Sequence, residues 1–242
     1  MMWPAARCPV REEERAWIEH SLGWLSAQFG RTTLFGPVLT PSDADFPGVW
    51  TGSTDEIEAL VARLCAHVGA DRSGIALEFE HAGAEPGLAG HIPLNTVGTG
   101  AAGHYHERDG CPVVTIREDL VERPTALVAT LAHELGHVRL LGERRAEPDA
   151  ADCEPLTDLA TVFFGLGLFA ANAALDYARL TRGDYAYSRT SRLGYLTEPM
   201  YGYALARYAW LRGEPSPEWA RFLDTNPRTY LRQGLRYLAR SQ

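Results

Sequence analysis

The residues whose types and spacing can do chemistry are His133, Glu134 and His137, in the stretch Leu131-Ala-His-Glu-Leu-Gly-His137. On a helix, positions four apart share one face about one turn apart, so the two imidazoles can grip one metal ion while Glu134 stands beside it. A carboxylate placed there can take a proton from water activated by zinc. The segment supports such a helix over 124–141: Leu127, Val128, Leu131, Leu135, Val138 and Leu141 recur at threes and fours, and Pro124 suits the first turn. Gly142 is placed to end it in a left-handed cap. A zinc site needs a third protein ligand, and Asp152-Cys-Glu-Pro-Leu-Thr-Asp158 supplies Glu154 and Asp158, again four apart, at the mouth of an apolar helix expected over 154–175. One carboxylate can close the coordination shell while the other orients a ligand histidine. Pro155 biases Glu154 away from helical dihedrals, so Asp158 stands as the alternative ligand, and Cys153 as an adventitious one.

Together the two segments resemble the gluzincin pattern, H-E-x-x-H followed by E-x-x-x-D on the next helix, over roughly residues 105–175. The resemblance implies a zincin-like fold and one zinc per chain, held by His133, His137 and Glu154 with an open position for water. It further implies Glu134 as general base, Asp158 behind a ligand histidine, and a peptide or protein as substrate. The metzincin pattern is excluded, because no histidine follows His137. Regulatory proteases of the antirepressor-cleaving type share His-Glu-Leu-Gly-His but not the long C-terminal helices. A reading from another class, a non-catalytic zinc-stabilised binding or regulatory domain, needs the same ligands but not Glu134. Hydrolysis at zinc usually uses one further donor for the oxyanion. Candidates are Tyr195, Tyr201 and Tyr203, or His104 and His106 upstream.

Composition bounds the remaining possibilities. A chain of 242 residues with 45% hydrophobic content can bury a substantial core, and a net charge of −8 argues against a general nucleic-acid partner. The C-terminal part is locally basic through Arg207, Arg212, Arg221, Arg228, Arg232, Arg236 and Arg240, which reads as a solvated helical face. All 23 basic side chains are arginine. The absence of lysine excludes a P-loop, a Schiff-base enzyme and a lysine general base. Cys8, Cys65, Cys111 and Cys153 form no C-x-x-C pair, as expected of free thiols in the cytoplasm, and Met1 to Arg7 lead into no apolar signal segment. The apolar run Leu159–Leu175 is short for a membrane span and contains Asn172, so a core helix is expected and no membrane partner.

The elements that must position these residues are legible by period. Helices are expected over 11–29 and, capped by Ser53 or Thr54, through Val68, with an irregular stretch holding at most one short strand between them. Ile75, Leu77 and Phe79 alternate as a strand, and His104–His106 and Pro112–Ile116 form a hairpin around Arg108-Asp-Gly110. The zincin resemblance further implies that the strand before the metal helix, here Val113–Ile116, borders the cleft and pairs with an extended substrate. Gly98-Thr-Gly-Ala-Ala-Gly103 matches the dinucleotide fingerprint in letters only, since a strand and turn follow it where a helix is needed; it reads as a glycine loop near the cleft. Further helices are expected over 175–181, 199–212, 217–222 and 227–239. The whole is expected to be a helix-rich α+β, zincin-like domain with a small antiparallel sheet over 1–175, and a helical C-terminal extension, 176–242, packed on the same core.

Overall fold

The computed structural model describes residues 7–81, 102–180 and 196–240, and their side chains except those of 175–180. It is helix-rich α+β, with one small sheet. Helix α1 (Glu12–Phe29) opens on three glutamates, which suit the positive end of a helix dipole, and buries Ile18, Leu22 and Leu25. The stretch after it forms a short helix, α2 (Arg31–Leu34), and no strand is found over 31–53. Helix α3 (Thr54–Val68) starts with a capping box: Ser53 Oγ accepts from the Glu56 amide at 3.4 Å, and Glu56 Oε2 accepts from the Ser53 amide at 3.1 Å.

Three strands follow, β1 (Ala76–Glu80), β2 (Gly103–Arg108) and β3 (Cys111–Arg117). The hairpin β2–β3 is antiparallel as its turn residues require, with Asp109 and Gly110 both at positive φ. The sheet as a whole is mixed, not antiparallel, because β1 joins the far side of β3 in parallel, giving the order β1-β3-β2. Val113, Val114 and Ile116 explain this: a run apolar on both faces suits a central strand. The assignment of Val113–Ile116 to substrate pairing is thereby overturned. Both edges of β3 are already hydrogen-bonded; β2 and β3 both pack on the helix that carries His133, and of the two only β2 keeps an edge that no described strand pairs with.

Helix α4 (Pro124–His137) begins at Pro124 and runs into a single π-turn, Val138–Gly142. Gly142 does not form the expected left-handed cap. The wider π-turn carries the chain past it, and Arg144 adopts the positive φ. Helix α5 (Cys153–Phe163) and α6 (Gly167–Leu180) replace the continuous helix expected over 154–175, and α6 takes in residues 175–180 of the separate helix expected at 175–181, whose last residue lies outside the described ones. The break is at Gly165, whose φ is +78°. Its carbonyl accepts from the Leu39 amide at 3.0 Å, and a Cβ on it would lie 2.5 Å from the carbonyl oxygen of Pro37. Helices α7 (Glu198–Leu211) and α8 (Thr225–Leu238) follow, separated by a 3₁₀ turn at Glu218–Phe222. Asn172 ties α6 to this segment, donating to the Phe222 carbonyl and accepting from the Asp224 amide, both at 2.9 Å.

One continuous apolar core runs from Ile18 and Leu22 through Leu64, Ile116, Leu131 and Phe163 to Leu205, Leu231 and Leu238, so α7 and α8 share it with the site-bearing helices. No helix among the described residues is long and apolar enough to cross a membrane. Gly165→Ala should destabilise the protein by about 2 kcal/mol or more, since it forces a β-carbon into a left-handed residue against a backbone oxygen. Equilibrium denaturation by urea measures this, and an unchanged midpoint would show that the α5–α6 break tolerates a side chain.

Candidate metal centre

Helix α4 presents His133 and His137 from successive turns toward the first turn of α5, which carries Glu154. The three side chains meet at one point. His133 Nε2 lies 3.2 Å from His137 Nε2, and Glu154 Oε2 lies 3.1 Å from the first and 3.3 Å from the second. Metal bonds of about 2.0–2.1 Å in tetrahedral geometry separate ligand atoms by roughly 3.3 Å, so this triangle matches one face of such a tetrahedron. His133, His137 and Glu154 could therefore hold a metal ion. Cys153 is not in the group; it is buried, and burial pushes its thiol up to about 11.

Each ring is held from behind through its other nitrogen. His133 Nδ1 is 2.8 Å from Asp158 Oδ1, and the second oxygen of that buried carboxylate accepts from the Leu196 amide at 3.1 Å. His137 Nδ1 is 3.3 Å from Thr157 Oγ1, whose own proton goes to the Cys153 carbonyl at 2.9 Å, so Thr157 accepts from the ring. Both contacts place a ring proton on Nδ1, so Nε2 is the nitrogen that each ring turns toward Glu154. Glu154 sits in the first turn of α5, where Pro155 is tolerated, and it keeps 38% of its side-chain surface exposed while His137 keeps 8%. The triangle is thus reached from the Glu154 side.

Glu134 is buried beside the triangle. Its Oε2 has no hydrogen-bond partner among the described residues, and burial raises its pKa above the ordinary carboxylate value, outweighing the lowering influence of His133 and His137. Burial alone would lower the pKa of His133, but the hydrogen bonds to Asp158 and Glu154 hold it well above the ordinary imidazole value. Burial would raise Glu154, yet its bonds to the two histidines hold it well below the carboxylate range. The site favours negative charge on Glu154 and a proton on His133, the charge pattern a cation would take over.

Tyr195 lies outside the described residues. Tyr201 is buried, and Tyr203 is buried with its hydroxyl donating to Glu19 on α1 at 2.5 Å, which commits that donor to the core rather than to the site. His104 and His106 stack on one another on β2, 5.6 Å between centroids. Thr157 and Tyr105 both contact His137, and reasoning from the sequence did not single them out. Thr157 could have been found as the residue sharing its helical turn with Glu154 and Asp158. Tyr105, whose ring stacks on His137 at 5.8 Å and 21° and whose hydroxyl donates to Glu107 at 2.9 Å, carries no sequence signal. Comparison of the chain with models of protein families, with characterised proteins and with solved structures finds no match.

Two outcomes follow from this geometry. Glu154→Ala should lower metal affinity more than Asp158→Ala, since losing the residue behind a ligand costs only about 10 to 100-fold. The reverse order in titrations would make Asp158 the ligand. Metal affinity should also fall as pH drops through the elevated pKa of His133, because the ion must displace the proton held there. Glu154 stays ionised across that range and adds no second proton. A slope near one proton per ion, measured against a chelator at several pH values, is expected; a flat profile would remove His133 as a ligand.

Proposed function

We propose that this protein is a zinc-dependent hydrolase of the gluzincin type, in the first place a metallopeptidase, with one zinc per chain on His133, His137 and Glu154. The observation that carries the reading is the tetrahedral-sized ligand triangle set beside a buried carboxylate oxygen, Glu134 Oε2, that has no partner of its own. When bound, zinc supplies a Lewis acid and lowers the pKa of a coordinated water. Glu134 is the proton acceptor, and burial makes its carboxylate more basic than an exposed one. Asp158 and Thr157 keep the two rings turned toward the ion.

A peptide substrate is supported by the edge of β2. The Arg117 amide donates to the Ala102 carbonyl, so alternation along the antiparallel ladder turns the backbone groups of residues 102, 104, 106 and 108 toward β3 and those of Gly103, Tyr105 and Glu107 outward. No other strand among the described residues pairs with that edge. An extended chain added there would lie beside Glu134, which abuts Gly103, and His137, which stacks on Tyr105. The free state of all four cysteines supports a cytoplasmic location.

Purified protein should carry about one zinc per chain by mass spectrometry. Glu134→Gln keeps the shape of the side chain but removes its basicity, so zinc content and melting temperature should stay near wild type. Cleavage of a peptide library should drop on the order of 100 to 10,000-fold. A wild type that holds zinc and cleaves nothing would favour the zinc-stabilised binding domain, and equal cleavage by both proteins would point to a contaminant.

A further inference from the structure

We propose that Gly103 is a positioning residue for Glu134: the absent side chain at the head of β2 lets the strand press directly on the carboxylate and fix where it stands. The inference rests on Glu134 acting as the base. A Cβ built on Gly103 would lie 2.8 Å from Thr130 Cγ2, 2.9 Å from the Thr115 carbonyl oxygen and 3.2 Å from Glu134 Oε1. Backbone conformation does not demand glycine here, since Gly103 is not among the residues at positive φ. Space does.

Thr130 and Glu134 are one turn apart on α4 and together form the surface that meets β2. The Thr115 oxygen belongs to β3, which is paired to β2 through Gly103↔Ile116 and His104↔Thr115 and to β1 on its other side. It cannot retreat without breaking the ladder, so a side chain at 103 must displace the α4 side, either the Thr130 methyl or the Glu134 carboxylate. Glu134 Oε2 has no hydrogen bond to restore its position. Contact with the glycine therefore sets the carboxylate's place, and an error of about 1 Å there can cost roughly 100-fold in rate. This also accounts for the last glycine of the Gly98–Gly103 stretch without any nucleotide.

The test compares zinc-loaded wild type with Gly103→Ala, Gly103→Ala/Thr130→Ser and Glu134→Gln. Gly234→Ala on α8, whose Cβ would lie 2.6 Å from Ala206 Cβ, serves as a destabilised control remote from the site. Gly103→Ala should keep its zinc, because it touches no ligand, and lose roughly 10 to 100-fold in kcat with KM within about twofold. Thr130→Ser removes the nearest methyl and keeps the hydroxyl, so it should restore part of the loss. Acetohydroxamate supplies a readout independent of turnover: a zinc-bound hydroxamate donates its proton to the base, so Glu134→Gln and Gly103→Ala should each bind it about tenfold more weakly. Gly234→Ala should bind it like wild type. The inference is overturned if Gly103→Ala binds acetohydroxamate as wild type does while Glu134→Gln does not, or if its kcat falls no further than that of Gly234→Ala. If Glu134→Gln leaves both turnover and hydroxamate affinity unchanged, the assignment of the base itself fails, which is a different result. Should the wild type cleave no peptide, the hydroxamate affinities alone decide.

Discussion

Two imidazole nitrogens and a carboxylate oxygen lie within 3.3 Å of one another at the junction of two apolar helices, and the rest of the structure answers to that constraint. Polar groups crowded in this way stand only if each is held by further hydrogen bonds, because partly satisfied buried networks are costly. One turn of α5 meets most of the requirement. Glu154 enters the triangle, Thr157 backs His137 and Asp158 backs His133, three residues spaced three and four apart so that they share the face turned to α4. The second oxygen of Asp158 is closed by the amide of Leu196, two residues ahead of α7, which brings the approach to that helix into the same network.

The surrounding core keeps these helices from shifting. Leu127, Leu131 and Leu135 on α4 and Leu159, Val162 and Phe163 on α5 are almost fully buried, and such side chains pack too densely for one helix to slide on the other without cost. Helix α1 reaches the loop before α5 as well, where Trp17 Nε1 donates to Asp152 Oδ2 at 2.9 Å, two residues ahead of Glu154. On the opposite side β2 approaches α4 closely enough to touch Glu134 and His137. Glu134 meets β2 at Gly103, whereas the two rings are backed from α5, so the carboxylate and the triangle answer to different neighbours even though α4 carries both.

Electrostatics at the site follow from the same packing. Burial raises Glu134, while two neighbouring carboxylates hold a proton on His133 and the two imidazoles keep Glu154 ionised. These are opposite shifts in two glutamates of one site, produced by partner and burial rather than by residue type.

Local periodicity and spacing were enough to read α1, α3, α4, the hairpin and the helical tail, and to bring His133, His137, Glu154 and Asp158 together on two helices. Those features are decided by contacts a few residues apart: capping at Ser53, a turn at Asp109-Gly110, and ligands at four-residue intervals. What depended on distant contacts was not legible. The apolar run after Glu154 does not show that Gly165 must bend against Pro37, nor do Val113–Ile116 show that β1 would claim their second edge. The hydroxyl of Tyr203 goes to Glu19, 184 residues away in sequence. By itself the sequence determined which side chains could bind a metal and which helix faces bear them, because helical geometry is local. Only the tertiary structure decided which carboxylate joins the histidines, what backs each ring and which strand lies beside Glu134, because those follow from close packing between segments far apart in the chain.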